Sequence, residues 1–351
     1  MSGIIGHSMY AVLGAQAAAQ RGLPVAPIVA RHLPSYLAGA YLGSDIQTMP
    51  EAICVDTGRE VGYGTAPLAM SPLTGGAVRP WKLKHPGGEA TPREIFDLFY
   101  GRAHLVFGWA KADREHMVPW DHLPDYFANV VEDTFDLFGT DEHTLAYVFG
   151  WIVHVVSDSL IKSVQPGLDL HLLDGKYTPR NRPIQDLVTF HEVGVKELQL
   201  DWPRLLAGLA ATPVEPVQLH YMRVAETRGR LGRDYANGWV PGRGALLELV
   251  LKENRRWCAV HGRDVLKDME LVPTADGRLD CHESIRKAVG LNYAQMVELA
   301  GRAKFRDALD QMGKAVADMF EATQRRSPRM AVLPVAGPSV LADLRRGWGR
   351  Q

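Results

Sequence analysis

The feature that most constrains the fold is a long apolar stretch, LAYVFGWIVHVV, that follows the helix-start signal Thr140-Asp141-Glu142. Threonine and aspartate are favoured at helix starts because their side chains accept hydrogen bonds from unpaired backbone N–H groups. The stretch is apolar nearly all round at helical spacing, which is typical of a helix covered by protein on every side. The sequence therefore predicts a central buried helix from this signal to about Lys162.

Two polar residues interrupt that helix. His154 and Asp158 are four residues apart, so they project from the same face. Burying an imidazole and a carboxylate is costly unless each finds a partner. A shared metal ion would satisfy both, because imidazole nitrogen and carboxylate oxygen are ordinary zinc ligands. A direct His–Asp hydrogen bond without a metal is the alternative, and the two residues alone favour it, because a two-residue motif is common by chance.

Helical patterns dominate the rest of the chain, and the predicted fold class is all-α. Residues 8–20 are rich in alanine and end before Gly22 and Pro24, and residues 26–42 form a second stretch interrupted near Pro34. Strand-like alternation is scarce. Further helices are predicted at 91–111, 122–138, 184–200, 245–254 and 292–325.

The chain divides by composition into three parts. Residues 1–205 are predicted to form a metal-binding helical core, with a long irregular insertion at 46–90 where prolines and glycines recur. A loop of this length in a compact domain is usually functional, and this one has room for a short strand or hairpin. Residues 206–330 are predicted to be helical and packed on the same domain. Residues 331–351 are predicted to be a tail that is either draped over the surface or loose.

Charge and cysteine content exclude several classes. The formal net charge is −1, so no overall field attracts nucleic acid or an anionic membrane. The three cysteines are spread widely and form no C-x-x-C pair, which argues against a disulfide framework and a cysteine-rich zinc module. The apolar run from Thr144 to Val156 is shorter than the roughly 20 residues of a membrane span, and the start of the chain lacks a basic signal region. We therefore expect a cytoplasmic protein, with export disfavoured.

Other residues with metal-ligand chemistry are scattered through the first 200 positions. Each stands in or beside a predicted helix or the loop between two helices, and the set is His7, Asp45, His122, His171, His191 and Glu192. Histidines and carboxylates of this kind build multi-ligand sites when a fold brings them together. His85, His104 and His116 compete with His122 for one position, and the sequence leaves that choice open.

In order, these residues resemble the zinc-dependent phospholipase C family and its distant relatives, the fungal single-strand nucleases. The resemblance is carried by an early histidine (His7), a small-residue helix end leading into Asp45-Ile46, a helix-initial histidine (His122) and the H-x-x-x-D pair. It covers roughly residues 1–200. The resemblance implies a multi-helix phospholipase C/nuclease-like bundle in which histidines and aspartates from most helices hold clustered zinc ions.

This chain departs from the family pattern at three places. The family has Pro-Asp where this chain has Ser44-Asp45. It places a further histidine a few residues after the H-x-x-x-D aspartate, whereas the next histidine here is His171, beyond a loop. It ends its ligand set with H-x-x-x-E, but Val195 stands four residues after His191. One of the three metal positions is therefore in question.

The resemblance implies a hydrolase that cleaves a phosphodiester or related phosphate ester with two or three zinc ions. Asp45 would bridge metals or orient the attacking hydroxide. The other ligands would be His7, His122, His154, Asp158, His171 and His191, and whether Glu192 ligates beside His191 is left open. The substrate would be a small-molecule or lipid phosphate ester. The alternative is a helical binding or scaffold protein of the same fold with a degenerate metal site, which the absent H-x-x-x-E glutamate favours. Neither the oligomeric state nor the substrate is encoded in these motifs.

Overall fold

The structure, a computed structural model, describes residues 3–45, 53–54, 59–60, 83–85, 88–90, 119–162, 167–173, 180–211 and 262–350. Most of these residues are helical, which confirms the all-α prediction. The helices predicted at 91–111 and 245–254 lie outside the described residues, as does most of the 46–90 insertion.

The N-terminal half of the bundle contains five helices in the described part of the chain. They are α1 (Ile4–Gln20), α2 (Val25–Arg31), α3 (Leu33–Asp45), α4 (Leu123–Phe138) and α5 (Glu142–Lys162). A 3₁₀ turn at Trp120–His122 leads into α4. Gly22 and Gly139, where helices were predicted to stop, both adopt positive φ, a conformation open to glycine at low cost.

The C-terminal half begins with α6 (Asn181–Val188), which continues directly into a π-helix (Thr189–Glu197). The helices that follow are α7 (Trp202–Ala211), α8 (262–268), α9 (Glu283–Val289), α10 (Tyr293–Arg302), α11 (Phe305–Arg326), α12 (Pro328–Ala331) and α13 (Val340–Trp348).

The strands in the described residues form three short antiparallel hairpins. They pair β1 (Ile53–Cys54) with β2 (Arg59–Glu60), β3 (Leu83–His85) with β4 (Gly88–Ala90), and β5 (Val272–Pro273) with β6 (Leu279–Asp280). In register, Ile53 lies opposite Glu60, Leu83 opposite Ala90 and Val272 opposite Asp280. The first two hairpins fall within the predicted insertion.

The centre of the bundle is the crossing of α3 and α5, where each helix carries a glycine. A Cβ atom on Gly39 would lie 2.9 Å from the backbone nitrogen of Trp151 and closer still to a carbonyl oxygen of α5. A Cβ atom on Gly150 would lie 2.9 Å from the backbone nitrogen of Ala40 and would overlap a carbonyl oxygen of α3. The two backbones therefore approach more closely than any larger residue would permit.

Helix α11 closes the other side of the core. It packs along α1, and its Phe320 ring meets the Phe149 ring of α5 edge to face at 5.1 Å. Arg326 of α11 binds Asp125 of α4 at 2.8 Å. The described residues of the predicted 206–330 part thus pack on the N-terminal helices as part of the same core.

Two predictions about the C-terminal region are wrong. The helix predicted over 292–325 is two helices, because Lys304 adopts a left-handed conformation (φ 52°) that ends the first and precedes the second. The tail predicted over 331–351 instead contains α13, and α12 ends at its first residue. Val340, Leu344 and Trp348 repeat at four-residue spacing and are all buried, so one face of α13 joins the core.

Helix α5 is longer than the apolar run seen in the sequence. Its segment Glu142–Ile161 has the length and composition to cross a membrane, and 94% of it is buried inside the protein. The core helix of a water-soluble protein has the same properties, so the prediction of a central buried helix is confirmed.

Burial raises the pKa of the free thiol Cys281 to about 11, which keeps the thiol protonated at neutral pH.

Candidate metal centre

Three side chains meet in the core between α1 and α5. His7 lies in the first turns of α1, and His154 and Asp158 lie one turn apart on α5. One ligand atom from each lies within 4.8 Å of the other two, and the three side chains are 2%, 1% and 0% exposed. Among the described residues, these three side chains form the group of histidine, cysteine and carboxylate side chains that could hold a metal ion. His7 therefore lies beside the H-x-x-x-D pair, as predicted.

The carboxylate stands between the two imidazoles. The Oδ1 atom of Asp158 is 3.8 Å from Nε2 of His7, and its Oδ2 atom is 3.6 Å from Nε2 of His154. Both distances exceed the 2.7–3.2 Å of an N–H···O hydrogen bond. Two ligands bound to zinc at 2.0–2.1 Å with tetrahedral angles are about 3.3–3.4 Å apart. The observed spacing is therefore close to that of ligands sharing one ion.

The opposite ring nitrogens contact oxygen atoms outside the group. Nδ1 of His154 is 3.0 Å from the carbonyl oxygen of Ala40 on α3. A carbonyl only accepts hydrogen bonds, so Nδ1 donates, and in the neutral ring Nε2 presents its lone pair toward Asp158. Metal-binding histidines characteristically orient their rings by such a bond. The contact depends on the close α3–α5 crossing described above.

His7 is held in a related way by α5. Its Nδ1 atom lies 3.5 Å from the hydroxyl of Ser157, which donates a hydrogen bond to the carbonyl oxygen of His154 at 3.1 Å. The rings of His7 and His154 stack with centroids 4.2 Å apart and planes 18° from parallel. Both histidines are thus fixed in orientation, and each presents one nitrogen to the same carboxylate.

Charge balance defines what this arrangement can do. An ionised carboxylate removed from water costs several kcal/mol unless a cation or hydrogen-bond donors compensate it. A divalent ion bound by the three side chains would supply that positive charge, and a protonated imidazole is the metal-free alternative. Two nitrogens and one oxygen fit the ligand chemistry of zinc, so the residues present suit a metal ion.

Several predicted ligands lie where their side chains are not described. Asp45 is the last residue of α3, and His85 is in β3, but only their backbone conformation is described. His104 and His116 lie outside the described residues. The predicted contributions of these four residues therefore remain predictions.

The structure does not bring the other four predicted ligands into the buried group. His122 is exposed at the 3₁₀ turn. Nδ1 of His171 lies 3.2 Å from Asp169. In the π-helix, His191 is turned toward the carbonyl oxygen of Met269, at 2.6 Å, and Glu192 toward Tyr293, as described next.

The π-helical pair has its own environment. Burial lowers the pKa of His191, although the Met269 carbonyl opposes that shift. Burial alone would raise the pKa of Glu192, but hydrogen bonds from Lys196 (2.7 Å) and the Tyr293 hydroxyl (2.5 Å) outweigh it and lower the pKa. Glu192 is therefore an ionised carboxylate with protein partners, in a cluster separate in composition from the buried group.

Two contributors to the buried group were missed in the sequence. Ser157 lies inside the H-x-x-x-D motif, and its position one residue before Asp158 could have indicated a contact from the same helix. The Ala40 carbonyl could not have been found, because a backbone acceptor has no side-chain signature.

The chain matches no protein family, no curated protein and no solved structure. The phospholipase C resemblance therefore depends on the short motifs.

Proposed function

We propose that this protein is a metal-dependent hydrolase of phosphodiesters or related phosphate esters, similar in its chemistry to the zinc-dependent phospholipases C. The single observation that supports the proposal is the buried group of His7, His154 and Asp158, with both histidines oriented by outer oxygen contacts. The alternative of a bare hydrogen-bonded pair predicts shorter His–Asp distances than the 3.6 and 3.8 Å observed.

The three side chains would hold a zinc ion, and the family resemblance implies two or three ions in all. When bound, zinc would polarise a phosphoryl oxygen and lower the pKa of a bound water molecule. The protein would orient both imidazoles, through Ala40 and Ser157, and keep the carboxylate away from bulk water. These are the conditions under which a fixed charge acts most strongly.

Asp45 is the residue proposed to bridge metals or orient the attacking hydroxide. It lies five residues after Ala40 on α3, which is about 7.5 Å along a helix axis. Because Ala40 touches His154, the end of α3 lies on the side of the bundle that carries the buried group. The role of Asp45 comes from the resemblance.

Metal analysis and an activity assay together test the proposal. Purified protein reconstituted with zinc should retain at least one equivalent after removal of free metal, and chelation should lower its melting temperature. It should hydrolyse bis(p-nitrophenyl) phosphate, and His154→Gln should lose metal and activity together. The matched control is His282→Gln, because His282 is a half-exposed histidine whose ring contacts the Lys267 carbonyl and which is not part of the buried group. Reconstituted protein without zinc and with unchanged melting would refute the proposal.

A second candidate is a helical binding or scaffold protein of the same fold with a degenerate site. The observation in its favour is that His171, His191 and Glu192 stand apart from the buried group. This candidate predicts that zinc stabilises the protein without any hydrolysis.

The main proposal also includes a substrate that is a small molecule or a lipid, and a cytoplasmic location. Comparing the rate of hydrolysis of phosphatidylcholine in micelles with that of a soluble phosphodiester distinguishes these two substrate classes.

A further inference from the structure

The π-helix places side chains five residues apart on one wall. A π-helix closes each turn with i→i+5 hydrogen bonds, so residues five apart lie on nearly the same side. In an α-helix with 3.6 residues per turn they would be about 140° apart. Here Glu192 and Glu197, and likewise Val188 and Val193, line the same cleft. The widened helix therefore creates a wall that carries both carboxylates and apolar groups.

Aromatic packing holds this widened segment. The Trp202 ring stacks on Phe190 with centroids 5.2 Å apart, and its Nε1 donates a hydrogen bond to the Phe190 carbonyl at 3.2 Å. A Cβ atom on Gly194 would lie 2.5 Å from that nitrogen, so only glycine permits the approach. The π-helix is thus a fixed element, and such segments recur at functional sites.

The cleft has a volume of about 330 Å³ and lies between the π-helix and the junction of α10 and α11. That volume is at the lower end of the range for small-molecule sites. The apolar side chains that line it are those of Val188, Val193, Val297, Ala300 and Phe305. A ligand that fills it must therefore have an apolar body.

Most charges at the cleft are already paired within the protein. Glu197 receives two hydrogen bonds from Arg306, at 2.6 and 2.8 Å, and Glu192 binds Lys196 and Tyr293. Lys304 and Asp307 differ from these residues because their charges are not paired within the described part of the protein. Within the described residues neither side chain has an ion pair or hydrogen bond, although both line the cleft three residues apart. One positive and one negative group are therefore available at the mouth.

We propose that this cleft binds a small zwitterion with an apolar body, which is the chemistry of an apolar α-amino acid. The ligand carboxylate faces Lys304, its ammonium group faces Asp307, and its side chain enters the space between the valines and Phe305. The paired glutamates stay with their protein partners. The proposal is independent of the metal centre, since the cleft contains none of its three residues.

The test is titration of methyl-labelled protein with leucine, 4-methylpentanoate and 3-methylbutylamine, followed by NMR. The last two compounds each lack one of the charges of leucine. Saturable shifts of the valine methyls should give the lowest Kd for leucine. Lys304→Met should weaken leucine and the acid about three- to fivefold and leave the amine unchanged. Asp307→Asn should weaken leucine and the amine, and leave the acid unchanged.

A blocking variant separates binding in the cleft from binding elsewhere. Gly301 lines the cleft, and a Cβ atom there would meet nothing within 4 Å, so Gly301→Trp should fold and abolish the shifts. Gly337→Trp is the matched control, because its Cβ also enters open space and Gly337 is not part of the cleft. Equal Kd values for the three compounds, or no saturable shift with leucine, would overturn the proposal.

Discussion

Replacing Asp158 by asparagine separates a metal centre from a structural hydrogen bond. The change preserves the shape of a fully buried side chain and removes the negative charge that faces both imidazoles at 3.6 and 3.8 Å. Outer-shell substitutions already cost 10- to 100-fold in metal affinity, so loss of a charged ligand should cost about 100-fold or more. At a zinc concentration 100 times the wild-type Kd, the ion stabilises the wild type by about 2.7 kcal/mol and such a variant by about 0.4 kcal/mol.

The measurement is the melting temperature of both proteins in zinc-buffered and chelator-containing solution. The difference of about 2.3 kcal/mol should appear in zinc alone, as a gap of roughly 5 °C for a large domain. If the site holds no metal, the asparagine side chain can still accept the hydrogen bond. The substitution should then cost about 1 kcal/mol of stability, equally in the zinc-buffered and the chelator-containing solution. A variant that keeps full zinc, or one whose deficit is the same with and without zinc, would show that Asp158 is not a ligand.

Three other predictions concern the supports of the two sites. Gly150→Ala should lower the free energy of unfolding by urea by about 3 kcal/mol, because the new Cβ atom would overlap a carbonyl oxygen of α3. Gly301→Ala should be nearly neutral, because a Cβ atom there meets nothing within 4 Å, and equal effects of the two substitutions would contradict the prediction. Ser157→Ala should weaken zinc binding about tenfold, since the hydroxyl contacts the ring of His7 and is itself held by the backbone carbonyl of His154, and an unchanged Kd would show that it does not position His7. Tyr293→Phe should cost about 1–2 kcal/mol at pH 7. Because the folded pKa of Glu192 is lowered, this contribution exists above its unfolded pKa and is lost as the pH falls through the folded value, so a cost unchanged at pH 3 would refute it.

The sequence was most informative where a single periodicity decided the outcome. The apolar helix around His154 and the four-residue spacing to Asp158 are local properties, and the structure confirms both. Bringing His7 to the same point required a long-range contact, which the sequence supplied only through a resemblance. The all-α class was predictable because long segments such as α5 and α11 carry apolar residues at helical spacing.

The failures of prediction have physical causes. His191 was named as a ligand from its chemistry and the family resemblance, and its ring instead lies against the carbonyl oxygen of Met269, a long-range contact that the sequence does not reveal. The π-helix that carries it was also missed, because no residue type marks such a widening. Lys304 breaks a predicted helix in a left-handed conformation usually taken by glycine. The four-residue spacing of Val340, Leu344 and Trp348 is a helical signal that was missed, because the preceding Pro334, Gly337 and Pro338 are typical of irregular structure.

The crossing of α3 and α5 makes the orientation of a buried imidazole depend on two glycines. The imidazole of His154 is aimed by a backbone oxygen, and that oxygen is within reach because Gly39 and Gly150 let the helices touch. The distance between α3 and α5 thus determines how the His154 ring is oriented. Consequently, substitution of either glycine should disturb the ring of His154 although neither belongs to the buried group, and a scan limited to polar side chains would overlook them.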